Sequence, residues 1–254
     1  MIEEVRYQCL RPDQIVERIK ACPIAYIPLG NLEWHGFHLP MGVDSLLAEK
    51  LAILCARFGG GLVMPTLNWG DNRIKGLVDA TVKPNEISAA MMWEPDACSR
   101  ERWLKDEHSQ DGLFHDLLLH ILNQCENYGF KVATLVCGHR PFIDRAAKAC
   151  EEYNKGSAKT GKMIAWNTIS SFHSKSQHSN LIGGHASFDE TSQMLCTYPE
   201  LVDMSALPDD GSFPLGTFGP KTANDASAGF GEEILQFAAE EIAIVSKKRL
   251  PSQS

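Results

Sequence analysis

Four short apolar segments alternate along the chain with stretches of helical periodicity, and this alternation constrains the fold more than any other feature. The predicted strands cover residues 24–28, 62–65, 131–137 and 162–169. The third is rich in β-branched residues and apolar on both faces, which is typical of a strand buried in a parallel sheet. Strands separated by helices imply βαβ crossovers. The sequence therefore predicts an α/β fold with a mostly parallel central sheet covered by helices on both faces.

The segments between the strands carry apolar residues at helical spacing or helix-start signals. The predicted helices cover residues 10–20, 45–58, 84–93, 112–128, 142–153, 189–197 and 226–248. Residues 66–83 have no clean period, and we expect a loop with one strand near residues 77–82. Residues 94–111 are charged and aperiodic, which indicates a solvated surface excursion, with a lid or an oligomer contact as the alternative. No internal repeat divides the chain, and we treat residues 1–254 as one domain.

Composition excludes several classes of partner. The 254 residues carry a net charge of −8, which argues against a surface for nucleic acids or anionic membranes. No apolar run approaches the roughly 20 residues that span a bilayer. The first residues are acidic where a signal peptide would be basic, so we expect a cytoplasmic protein. Its eight cysteines are scattered without a CxxC pair, which indicates small buried hydrophobes and not disulfides.

The first predicted strand runs into a loop that presents Glu33, His35, His38 and Asp44 within 12 residues. All four side chains are able to bind metal. Open α/β sheets build their sites where such loops leave the carboxyl ends of strands. Two alternatives stay open on spacing alone. Asp44 lies where the next helix begins and is a favoured residue for an N-cap, while Glu33 and His35 could be surface residues of the loop.

Two further polar clusters lie at a strand end and a helix start. His139 follows the third predicted strand, and His185 with Glu190 precedes and opens the helix at 189–197. Carboxylates and imidazoles from separate loops suit Zn²⁺, Mn²⁺ or Fe²⁺. If Asp44 bridged two ions, they would activate a hydroxide as the nucleophile of a hydrolysis. The alternatives are a structural His139, a turn role for His185 and a helix-dipole role for Glu190.

Three motifs together resemble the creatininase (creatinine amidohydrolase) family. The stretch PLGNLEWHGFHLPMGVD at residues 28–44 is similar to the family's Glu-x-His-Gly-x-His-Leu-Pro loop with its following Asp. The pair Gly138-His139 resembles the end of an Asn-Gly-His segment. Residues 183–203 resemble the family's segment of His, Gly and Glu-Thr-Ser with the helix after it. The motifs occur in the family's order, and the resemblance extends from about residue 24 to the C-terminal helix.

The resemblance implies a three-layer α/β/α sandwich with a centre of two divalent metal ions, Zn²⁺ and/or Mn²⁺ with Fe²⁺ as a third option. The five implied ligands are Glu33, His35, Asp44, His139 and Glu190. Glu33 and His139 would hold one ion, His35 and Glu190 the other, and Asp44 would bridge them. The family's pattern also implies oligomers, often hexamers, that act on small molecules.

By the same resemblance, His185 would be the catalytic histidine, which steers the attacked carbonyl and moves a proton to the leaving nitrogen. The implied reaction is hydrolysis of a non-peptide C–N bond, in a cyclic amide or a formamide, with a metal-bridging hydroxide as nucleophile. The alternative is a non-catalytic metal-binding or scaffold protein that retains the fold. A missing ligand would favour that alternative, but all five are present.

Several positions depart from the family's pattern around the substrate. Cys137 replaces the Asn before Gly-His, Pro141 replaces a Glu of creatininase proper, Leu181 replaces a tryptophan that covers the substrate, and Ser187 replaces a Gly. These departures argue against creatinine as the substrate. Arg140 follows His139, and we hypothesise that it binds a carboxylate or phosphate of the substrate through a bidentate contact. The alternative is a salt bridge from Arg140 to an acid of a neighbouring loop.

Overall fold

A four-stranded parallel sheet forms the centre of the computed structural model, which describes residues 4–70, 84–94, 107–157, 162–168 and 176–251. The strands are β1 (Ile24–Leu29), β2 (Leu62–Val63), β3 (Val132–Cys137) and β4 (Ile164–Asn167). Their order in the sheet is β2-β1-β3-β4. Each end lies within two residues of its prediction, and the parallel sheet is confirmed.

The register of the sheet aligns the ends of its two central strands. β1 pairs with β3 along its whole length, from Ile24 opposite Val132 to Leu29 opposite Cys137. Because both strands end at the same level, the loops that follow them start side by side. This edge of the sheet is where open α/β folds place their sites.

The described part of the chain contains helices at all seven predicted positions. They are α1 (Pro12–Ala21), α2 (Val43–Gly59), α3 (Pro84–Ala90), α4 (Glu107–Asn127), α5 (Phe142–Ser157), α6 (Phe188–Thr197) and α7 (Ala228–Lys247). The prediction of a loop at residues 94–111 is wrong for residues 107–111, which belong to α4. Gly112 does not stop this helix, because a glycine in a helix interior costs only about 1 kcal/mol. The rest of that segment from residue 95, and the strand predicted near 77–82, lie outside the described residues.

Helices cover both faces of the sheet. Successive side chains of a strand point to opposite faces, and those of β1 divide accordingly. Ala25 and Ile27 pack in a buried cluster with residues of α4 and α5. Ile24 and Tyr26 pack on the other face with residues of α2 and α7. The three-layer α/β/α architecture is therefore confirmed, and α6 packs against α2 and α7.

Two further sequence expectations concern the cysteines and the membrane. Cys55, Cys125 and Cys150 are buried and unpaired as predicted, whereas Cys9 is exposed. Along the described segments, the helices are too short or too polar to cross a membrane.

Candidate metal centre

The loop after β1 is fixed in the interior by backbone contacts. Gly30 donates its N–H to the carbonyl of Leu67 (2.9 Å), and any Cβ at Gly30 would come within 2.3 Å of the Cα of Ser45. β1 can therefore pass this closely to the start of α2 only with glycine at this position. Further along the loop, Glu33 and His35 are 2% and 0% exposed. The alternative that they are surface residues is wrong.

Asp44 lies in the first turn of α2, and the N-cap of that helix is Gly42. The alternative of a simple N-cap role for Asp44 is therefore wrong. Its two carboxylate oxygens face different histidines. Oδ1 is 3.4 Å from Nε2 of His35, and Oδ2 is 2.8 Å from Nδ1 of His139. Asp44 thus connects the loop after β1 with the loop after β3.

His139 reaches this group because β3 approaches α2 very closely. A Cβ on Gly138 would stand 2.1 Å from the carbonyl oxygen of Asp44, so only glycine fits there without displacement of the backbone. The next residue, His139, places Nδ1 3.2 Å from Oε2 of Glu33. The ring of Phe142 packs edge-on against the imidazole at 4.8 Å between centroids.

The third predicted cluster enters from the segment before α6. The backbone of His185 pairs with that of Phe218 in an isolated bridge. The ring of His185 lies 4.4 Å from that of His35, and its Nε2 is 2.7 Å from the carbonyl oxygen of Trp34. Because a carbonyl can only accept, this nitrogen carries the hydrogen and Nδ1 is the acceptor of the neutral ring.

Glu190 occupies the first turn of α6 and faces the same group. Its Oε2 accepts a hydrogen bond from the backbone N–H of Ala186 (2.6 Å) and lies 3.7 Å from Nε2 of His35. About a fifth of the Glu190 side chain is exposed (19%), in contrast to the fully buried His35. Glu190 therefore closes the group on the side where a ligand can enter.

Three sets of donor atoms are each compact enough to hold one metal ion, with all distances within 4.8 Å. The sets are Glu33 with Asp44 and His139, His35 with Asp44 and Glu190, and Glu33 with His35 and His185. The first two sets are those that the sequence resemblance implies, and Asp44 belongs to both. Nε2 of His35 is buried and has no hydrogen-bond partner, as expected for a ligand atom that awaits a cation.

The electrostatics of the cluster also favour a cation. Burial alone would lower the pKa of His35, but the adjacent carboxylate of Asp44 and the surrounding acids raise it to about 9. Burial raises the pKa of Glu190 to about 8. Burial alone would raise the pKa of Asp44, but the two histidines outweigh this effect and hold its pKa below the usual range. Protons on His35 and Glu190 thus compensate a buried negative charge that bound metal ions would neutralise.

His38 is the one candidate of the first loop that stands outside these three sets of described residues. Its Nε2 is 3.1 Å from Oγ1 of Thr191 on α6, and burial lowers its pKa to about 4. His38, which is not among the five implied ligands, therefore lies outside the candidate centre. It instead fastens the loop after β1 to α6.

A cavity of about 350 Å³ opens beside Glu190 at the carboxyl ends of β3 and β4. Its wall includes Cys137, Arg140 and Ile182. Arg140 is exposed, and within the described residues its guanidinium has no ion-pair partner, so the salt-bridge alternative has no support there. The cavity gives a small molecule direct access to the carboxylate of Glu190.

Sequence reasoning missed one residue of this region. The buried Asp189 accepts hydrogen bonds from the backbone N–H of Gly183 and from Oγ of Ser187, both at 2.8 Å. These bonds fix both sides of the segment that carries His185. The only sequence signal for this role is a Ser-x-Asp pattern at a helix start, which commonly indicates nothing more than capping.

Comparison with known proteins gives consistent matches over nearly the whole chain. The family model described as "Creatininase: Creatinine amidohydrolase" matches residues 9–83 and 108–245. The chain is 25% identical over 260 residues to a creatinine amidohydrolase of Pseudomonas putida, with 90% of each chain covered.

Two solved creatininase structures share the fold. A mutant of the Zn–Zn type has a TM-score of 0.72 at 21% identity and covers 98% of this chain and 99% of its own. A manganese form also has a TM-score of 0.72, at 22% identity, and covers 98% of this chain and 100% of its own.

Proposed function

The chain belongs to the creatininase family of amidohydrolases, and on this premise we propose that it hydrolyses a non-peptide C–N bond, in a cyclic amide or a formamide, at a centre of two divalent metal ions. One observation carries this proposal. Donor atoms from three distant segments of the chain converge in two compact sets that share a single carboxylate, that of Asp44. Such sharing is what a two-ion centre requires of its bridging ligand.

The residues present fit two ions. One ion would be held by Glu33, Asp44 and His139, and the other by His35, Asp44 and Glu190. Asp44 suits the bridging role because its two oxygens face opposite histidines. A mixed set of carboxylate oxygens and imidazole nitrogens suits Zn²⁺ and Mn²⁺, with Fe²⁺ as a third option. The zinc and manganese forms of the structurally similar creatininases support the same choice.

Catalysis would combine the ions with one histidine. When bound, the two ions supply Lewis-acid activation of a carbonyl and of a water molecule. His185 would move the proton to the leaving nitrogen through Nδ1, because the carbonyl of Trp34 occupies its Nε2 hydrogen. Burial lowers the pKa of His185, which keeps its ring neutral near pH 7 and ready to accept a proton. The Trp34 contact would fix the orientation of the ring throughout.

Metal content of purified variants tests the proposal. After loading with Mn²⁺ or Zn²⁺ and gel filtration, we expect about two equivalents in the wild type. Glu33→Gln and Glu190→Gln should each retain about one equivalent, and Asp44→Asn less than one. Glu200→Gln, at an exposed site outside the centre, is the matched control.

Two outcomes would contradict the proposal. Retention of two equivalents in all three ligand variants would reject the ligand assignment. Failure of the folded wild type to bind either ion would favour the non-catalytic scaffold. Metal-loaded protein should then be screened against cyclic ureides, lactams and formamides, with hydrolysis expected in one of these groups and abolished by His185→Ala.

A further inference from the structure

The cavity beside Glu190 restricts what the substrate can be. Its volume of about 350 Å³ lies at the lower end of the range for small-molecule sites. Since Glu190 forms part of the wall, a molecule in the cavity reaches the candidate metal centre directly. The chemistry of the remaining wall should therefore match the part of the substrate that does not react.

Aliphatic side chains form the largest class in this wall, beside the neutral polar side chains of Thr168, Ser179 and Gln193. The aliphatic side chains come from α2, α5, α7 and the loop before α6, and include Leu47, Leu51, Ile143, Ile182, Ala238 and Ile242. Among the described lining residues there is no aromatic ring, so a flat aromatic substrate would find nothing there to stack on. The wall instead suits a saturated chain or ring.

The charged groups of the wall leave one cation without a counter-charge. Asp189 is engaged by Gly183 and Ser187, and Glu190 belongs to the candidate metal centre. Arg140 is the only basic side chain among the described lining residues. No described carboxylate pairs with its guanidinium, which offers two parallel N–H groups to an anion.

The net charge of the whole protein strengthens the case that the unpaired Arg140 binds an anion. The chain carries a net charge of −8, so its overall field repels anions. A local cation beside the candidate centre would offset this repulsion for one bound group. A wall with a group of aliphatic side chains and a single basic residue suits a molecule with an apolar part and one anionic end.

We infer that the substrate is an aliphatic amide that carries an anionic group, a carboxylate or a phosphate, and that Arg140 binds this group. The inference rests on the proposed function, because it places the scissile amide at the metal centre beside Glu190. Arg140 is then a specificity-determining residue for a chain whose position 141 and position 181 already depart from creatininase.

Binding of matched probes to the metal-loaded enzyme tests the inference. The probes are glutaramate, 3-carbamoylpropyl phosphate and the neutral pentanamide, each titrated by isothermal calorimetry. Arg140→Ala should weaken the binding of the preferred anion about tenfold or more, as expected for a charge-assisted bidentate contact, and leave pentanamide unchanged. The affinity of Arg140→Lys for this anion should lie between those of the wild type and Arg140→Ala. Arg57→Ala, at an exposed site on α2, is the control. The anionic probe that the wild type binds with higher affinity shows whether the natural group is a carboxylate or a phosphate.

Three results would overturn the inference: equal weakening of anionic and neutral probes, no change in Arg140→Ala, or no saturable binding of either anion to the wild type. Metal content measured on the same samples separates this inference from the proposed function. If two ions load and Arg140→Ala has no effect, only the inference fails. If no ion binds, the proposed function is rejected. The contribution of Arg140 to anion binding is then measured by titrating the same probes into the metal-free protein.

Discussion

Asp189 accepts the backbone N–H of Gly183 across 2.8 Å, and this bond ties the segment that carries His185 to the first turn of α6. The other oxygen of Asp189 accepts from Oγ of Ser187, also at 2.8 Å. Ser187 itself is enclosed, because a Cβ on Gly184 or Gly219 would come within 2.6 Å or less of its Oγ. One buried carboxylate therefore holds both flanks of the candidate catalytic histidine.

We predict that Asp189→Ala lowers the free energy of unfolding by about 2 kcal/mol, because it leaves the buried hydroxyl of Ser187 and the N–H of Gly183 without their acceptor. Urea unfolding measures this change. Asp203→Ala is the matched control, because Asp203 also accepts two hydrogen bonds, from the N–H and Oγ of Ser205, but at an exposed site. An equal loss in both variants would show that burial of Asp189 contributes nothing.

A second prediction concerns the close approach of β3 to α2. Gly138→Ala should destabilise the protein by about 1–3 kcal/mol, because the new methyl group meets the carbonyl of Asp44 at 2.1 Å. It should also reduce metal content by displacing Asp44. Gly112→Ala, where a Cβ meets nothing within 4 Å inside α4, should instead stabilise the protein by about 0.5–1 kcal/mol. Full metal content in Gly138→Ala would contradict the prediction.

A third prediction is that the metal-free protein loses stability as the pH rises from 6.5 to 9. In this window folded His35, with a pKa of about 9, keeps a proton that the unfolded chain releases near pH 6.5. Folded Glu190, with a pKa of about 8, keeps a proton that the unfolded chain has already released. The folded state therefore binds more protons, and each excess proton lowers the free energy of unfolding by up to about 1.4 kcal/mol per pH unit.

Urea unfolding of chelator-treated protein at several pH values measures this slope. Glu190→Gln should reduce it, because the amide does not titrate. A free energy of unfolding that rises across the same window would contradict the prediction.

The fourth prediction is that metal binding at pH 7 releases about two protons, one from His35 and one from Glu190, since a ligand must be deprotonated to bind a cation. Calorimetric titration with Mn²⁺ in buffers of different ionisation enthalpy gives the number released. Glu190→Gln should release about one proton fewer. Binding of the metal without proton release would show that both groups are already deprotonated in the metal-free protein.

The sheet and most of the candidate centre could be predicted from sequence because their signals are local. The segment at 131–137 is apolar on both faces, and the structure contains β3 there. Glu33 and His139 each follow a strand, and parallel strands bring such residues to one edge of the sheet. The sequence alone did not resolve Asp44 as more than an N-cap, since its orientation depends on the contact of α2 with β3.

What the sequence did not predict depends on pairings between distant segments. His38 and Thr191 are 153 positions apart, and no local pattern indicates that they meet. The early start of α4 at Glu107 was not predicted because residues 107–111 are polar and show no apolar period. The single-domain assignment and the homo-oligomer implied by the resemblance stay predictions.

The donor atoms of the candidate centre come mainly from loops at the end of the central strands, whereas most of the aliphatic residues of the cavity wall lie on α2, α7 and the start of α5. Reactivity and substrate choice thus rest mainly on different residues, with Glu190 shared between the centre and the wall. Drift at positions such as Leu51, Arg140 or Ile242 could redirect an ancestral enzyme to new compounds while its chemistry stays intact. This division offers a physical route by which one scaffold diversifies without passing through an inactive form.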